Sequence, residues 1–76
     1  MATRAEESEV IDALRRGESL ESLAARLNEN RAHWRHVLAA VDKILGEEDP
    51  YYGLRQDEID RAEAFAQRIE QILNER

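Results

Sequence analysis

Between residues 31 and 36 the chain reads RAHWRH, which crowds two arginines and two histidines into less than two helical turns. Arg31 and Arg35 can fork onto a guanine edge or a phosphate, and the neutral imidazoles of His33 and His36 can donate or accept. Arg26, Asn28 and Asn30 stand just upstream, where polar side chains would touch a nucleic-acid backbone and fix register. The same cluster also suits the solvated face of a bundle helix. Other chemistry has weaker support. His33 and His36 at i, i+3 could begin a metal site, but no carboxylate is placed with them, and the chain has no cysteine. Ser8, Ser19 and Ser22 are better explained at helix starts or on helix faces than as nucleophiles. There is no glycine-rich phosphate loop and no calcium-loop spacing. Catalytic carboxylates need a pocket, which four short helices rarely enclose. No catalytic residue, metal or cofactor is expected, and the chain reads as a non-enzyme.

The elements that must carry these residues are helical throughout. Thr3 and Glu6 have capping-box spacing, which opens a first helix over residues 4–16 with Val10, Ile11 and Leu14 on its buried stripe. Gly17 can end it. Ser19 can cap a second helix in which Leu20, Leu23, Ala24 and Leu27 recur at helical spacing. Asn30 can cap a third over residues 31–45, with Trp34, Val37, Leu38, Val41, Ile44 and Leu45 on one face. Gly46 then leads into an acidic loop, residues 47–53, broken by Pro50. A longer amphipathic helix follows over residues 56–74, its acidic first turn favourably placed at the positive helix end. Ile59, Ala62, Ala66, Ile69 and Leu73 keep the alternating spacing of a coiled-coil seam, and Phe65 and Ile72 widen it.

Residues 20–37, LESLAARLNENRAHWRHV, resemble the helix-turn-helix family. Ala24 stands where that pattern asks for a small residue, flanked by apolar Leu23 and Leu27. Asn28 takes the turn position, Asn30 the cap of the second helix, and Trp34 and Val37 its inward positions. Glu29 departs from the pattern, which has a buried valine or isoleucine there, and Trp34 is bulkier than usual. The resemblance implies that the third helix enters a major groove with Arg31, His33, Arg35 and His36 exposed to bases. Asn30 and Arg26 would then meet the backbone.

The chain has 76 residues, enough for one small domain, and a net charge of -6. So small a chain buries only about 60% of its unfolded surface. Without disulfides, regular helix packing or a partner must make up the rest. The longest apolar run, residues 37–41, is too short to cross a bilayer, and a soluble cytoplasmic protein is the expectation. Acids dominate the last part: residues 46–76 hold nine acids against four bases, whereas residues 19–45 hold four bases against three acids. The one slightly basic stretch therefore coincides with the helix-turn-helix resemblance.

These observations predict an all-α single domain over residues 1–76. It has three short helices with a helix-turn-helix-like pair in 19–45, plus a C-terminal amphipathic helix. That last helix is expected to form a homodimer through Ile59, Ala62, Phe65, Ala66, Ile69, Ile72 and Leu73. The expected function is a small transcriptional regulator that binds duplex DNA. The alternative is a non-enzymatic acidic module, an adaptor or inhibitor that binds a basic protein, conceivably by imitating a nucleic acid. Tyr51 and Tyr52 either pack back over the core or offer a contact point to a protein partner.

Overall fold

The computed structural model describes residues 4–28, 34–46 and 48–75, and among them the chain is all-α, with four helices and no strand. These are α1 (Arg4–Arg15), α2 (Leu20–Asn28), α3 (Arg35–Leu45) and α4 (Gln56–Glu75). Thr3 and the Glu6 side chain, with which a capping box was expected, lie outside the description, as does Glu47.

Local chemistry sets most of the helix ends. Gly17 adopts φ 101° after α1. Its N–H donates to Leu14 O at 3.0 Å while Glu18 N–H donates to Ala13 O at 3.1 Å. That pair of bonds satisfies carbonyls which the last turn would otherwise leave open, at a backbone angle that costs glycine little. Ser19 caps α2, its Oγ accepting from Ser22 N–H at 3.1 Å. Gly46 closes α3 in the left-handed region, φ 86° and ψ 22°.

The start of α3 departs from expectation. The helix begins at Arg35, with Trp34 at its N-cap and no side-chain cap bond. The turn that the helix-turn-helix resemblance implies between α2 and α3 falls on residues 29–33, outside the described residues. Trp34, at that N-cap, is buried at 8% exposure and opens the apolar stripe of the helix. Asn30, Arg31, Ala32 and His33 lie outside the described residues.

The core is built around α3. His36, Val37, Leu38, Ala39, Ala40 and Val41 are all buried. Six consecutive residues sweep well over one turn of 3.6, so α3 is covered on every side along 36–41, while Arg35, Lys43 and Leu45 at its ends are exposed. It packs chiefly on α4 and then on α2, while α1 closes against α4 and α2. Val10, Ile11, Ala13 and Leu14 of α1 and Leu23 and Leu27 of α2 meet Val37, Leu38 and Val41 in one core.

The expected dimer seam belongs to this core, which corrects its assignment. Ala62, Phe65, Ala66, Ile69 and Ile72 are buried within the chain, Leu73 packs against them and Ile59 is half-buried. A 20-residue helix is about 30 Å long, and the molecule measures 31 × 21 × 20 Å. Thus α4 lies along the full length of the body rather than projecting from it. The coiled-coil spacing is satisfied within the chain by α1 and α3.

Candidate functional site

The described residues of the predicted nucleic-acid cluster are committed to internal contacts. Arg26 is exposed on α2 and pairs with Glu18 across 2.9 Å. Arg35 is exposed at the start of α3, and its guanidinium donates to the Gly53 carbonyl at 2.8 Å. His36 is the larger correction. It was expected to face bases, but it is 2% exposed. Its Nε2 donates to Glu7 Oε1 at 2.9 Å, and its ring meets Phe65 edge-on with centroids 6.4 Å apart. Arg61 Nη2 stands 3.6 Å from the same Glu7 oxygen. A polar ring is tolerated at that depth because a partner satisfies it. His36 thus clasps α3 to α1. Among the described residues no three His, Cys, Asp or Glu side chains stand close enough to share a metal ion.

A different set of residues converges where α3 meets the loop before α4. Arg35, Leu38 and Asp42 recur along one face of α3 at helical spacing. Opposite them stand Pro50, Tyr52 and Leu54, and the two sides enclose a groove of about 420 Å³. That volume falls in the lower part of the usual range for binding pockets, about 300–1,000 Å³. Asp49 turns the chain into the groove wall with φ 45°, a left-handed angle that aspartate tolerates better than most residues. Two turns then follow in succession. Tyr52 N–H donates to Asp49 O at 3.2 Å and Leu54 N–H to Tyr51 O at 3.0 Å. Together with the Arg35 bond to Gly53, they hold the loop from both sides.

The adjacent tyrosines take opposite roles. Tyr52 is 86% exposed, the most exposed large hydrophobic side chain among the described residues. Tyr51 is half-buried beside Lys43, whose Nζ stands 5.9 Å from the ring centroid. The Tyr51 hydroxyl contributes most to raising the Lys43 pKa above its ordinary value; desolvation opposes it, and Glu63 and Glu70 of α4 add to it. That hydroxyl is nevertheless shielded from solvent and meets no group in hydrogen-bond geometry. The contact is therefore electrostatic rather than a formed hydrogen bond.

Acidic side chains dominate the surface after α3. Glu48, Asp49, Asp57, Asp60, Glu63, Glu70 and Glu75 are exposed. Arg55 Nε lies 3.8 Å from both Asp57 and Glu58, and Arg61 leans towards Glu7, so two of the cations here are already drawn to acids. Neither Glu48 nor Asp49 meets a cation within 4.0 Å among the described residues. The Pro-Tyr-Tyr-Gly string marked this loop in the sequence, but only the fold brings it against α3. Glu7 carried no sequence signal, because its partner lies 29 residues away. No family model matches this chain, and no curated protein and no solved structure is significantly similar to it.

Proposed function

We propose that the protein is a non-enzymatic interaction module that binds a basic protein partner through its acidic surface. The observation that carries this reading is the uncompensated negative charge of α4 and the loop before it. Residues 46–76 hold nine acids against four bases, and most of those acids are exposed. The field is felt within the molecule itself, since Glu63 and Glu70 help to raise the pKa of Lys43. Such a surface repels phosphate backbones and steers cationic partners by long-range attraction.

Two of the side chains expected to read bases make internal contacts. His36 is spent on Glu7, and one arm of Arg35 is spent on Gly53. Competing titrations test the choice. A fluorescein-labelled basic peptide and a labelled DNA duplex would each be titrated with the protein across several salt concentrations. The peptide should bind, and more weakly as salt rises through the range where the Debye length falls from about 30 Å to about 8 Å. Binding of the duplex instead, with a steep salt slope and loss in Arg31→Ala, would overturn this proposal in favour of a DNA-binding regulator.

A further inference from the structure

We infer that the groove between α3 and the loop at residues 49–54 receives an arginine side chain from that basic partner, stacked on Tyr52 and paired with Asp42. The inference rests on the acidic-module reading and gives it a specific anchor point.

Tyr52 is the first ground. An exposed aromatic ring on a slack loop would lose much of its contact energy in becoming ordered. Here the ring is 86% exposed, but its backbone is held by the Tyr52–Asp49 and Leu54–Tyr51 bonds and by Arg35 on Gly53. Ordering has already been met by folding, which is how preorganised aromatic anchors gain affinity. An exposed tyrosine face attracts a guanidinium in particular, through both stacking and the ring quadrupole.

The rest of the groove matches the other parts of that side chain. Leu38, Pro50 and Leu54 offer apolar surface to the methylene stem. Asp42 is half-buried on the α3 side. It already engages another group of the protein, but a carboxylate has about four acceptor positions and can still take a fork of N–H donors.

Charge then selects among occupants. Arg35 lines the groove and keeps its charge while bonded to the Gly53 carbonyl, but Asp42, Glu48 and Asp49 outnumber it, and the last two have no cation within 4.0 Å among the described residues. An anionic segment would be repelled by Asp42, Glu48 and Asp49. A purely apolar one would bury the Asp42 carboxylate without compensation. A second copy of the chain brings its own charge of -6 to the contact. A cationic side chain with an apolar stem meets all three surfaces.

Anisotropy titration of the full chain tests this with a fluorescein-labelled peptide of alternating arginine and glycine, and a glutamate–glycine peptide as control. The arginine peptide should bind and the control should not. Tyr52→Ala should weaken binding about five- to tenfold, Asp42→Asn by a similar factor, and Tyr52→Phe should leave it within about twofold. Removing so exposed a ring leaves the core untouched, so Tyr52→Ala should keep the wild-type circular dichroism. If Asp42→Asn does not fold, the Ala/Phe comparison at Tyr52 still decides the matter. Binding that ignores Tyr52→Ala but falls in the Glu63→Gln/Glu70→Gln double variant would overturn the groove and leave the acidic module standing. Failure of the arginine peptide to bind wild type at low salt would overturn both.

Discussion

The pair between Glu7 and His36 sets a measurable coupling between α1 and α3. The two side chains are 15% and 3% exposed and meet at 2.9 Å. A hydrogen bond to a charged partner contributes about 1.5–3 kcal/mol net, and a buried group left without its partner costs about 1–3 kcal/mol. Glu7→Ala strands the imidazole in the core, so it should destabilise the fold by about 2–3 kcal/mol. Glu7→Gln keeps an acceptor in place and should cost about 1 kcal/mol. His36→Ala should cost more than Glu7→Ala, because it also removes the ring packed on Phe65. Arg61 must be separated out, since it stands 3.6 Å from the same carboxylate oxygen. Its side chain is 43% exposed, so Arg61→Gln should cost under about 1 kcal/mol. Urea unfolding followed by fluorescence of the one tryptophan, Trp34, reads all of these, because that side chain is buried at 8% exposure. With an m-value near 1 kcal/mol/M for so small a domain, Glu7→Ala should lower the midpoint by about 2–3 M. The double-mutant cycle decides the argument. A coupling above about 1 kcal/mol supports the clasp, and one below about 0.5 kcal/mol means the two side chains act independently.

Three further variants and one measurement on wild type probe the same structure. Ile69 is fully buried in the seam once expected to dimerise, so Ile69→Ala should cost about 2–4 kcal/mol, and sedimentation equilibrium of wild type at micromolar concentration should return the monomer mass of 8.8 kDa. Tyr51→Phe removes a buried hydroxyl with no hydrogen-bond partner, so thermal unfolding should show a gain of about 1 kcal/mol, the exposed Lys43 contact being too well solvated to reverse the sign. By nuclear magnetic resonance titration the same variant should lower the Lys43 pKa towards its ordinary value of 10.5; in wild type the stability linked to that raised pKa is present below the unfolded value and is lost as pH rises through the folded one. Gly46→Ala should cost about 1 kcal/mol in urea unfolding, from its φ of 86° alone, since an added Cβ would meet nothing within 4 Å.

Features that act over a few residues were legible in the sequence. Gly17, Ser19 and Gly46 announce helix ends through bonds that span three to five positions. The stripes of α1, α2 and α4 follow from spacing alone, and Val10, Leu14, Leu23, Leu27, Ile69 and Ile72 are buried as that spacing demands. Spacing shows that a face is covered and is silent about what covers it. The α4 seam therefore read as a dimer contact, although α1 and α3 occupy it. The same blindness hid His36. On a strictly amphipathic α3 it would face solvent, but residues 36–41 are covered all round, and the residue that makes its burial tolerable lies on another helix. Arg35 reads identically as a DNA contact or as a loop clamp, since both use the same donors. Tyr51 and Tyr52 are neighbours in one loop, and only the turn between Asp49 and Tyr52 decides which ring turns inward.

The covering of α3 links folding to the proposed binding surface. Residues 36–41 of α3 are buried on all sides, and among the described residues three other helices are there to cover them. The loop before α4 completes the enclosure over the face that carries Arg35, Leu38 and Asp42. It therefore belongs to the fold, and its clamps serve two ends at once. The Arg35–Gly53 bond holds the loop near the core, and in doing so it fixes the wall on which Tyr52 stands exposed. Arg35, which the sequence offered as a reader of bases, holds the loop that walls the proposed groove. The acidity that weakened the nucleic-acid reading supplies the attraction which such a groove requires.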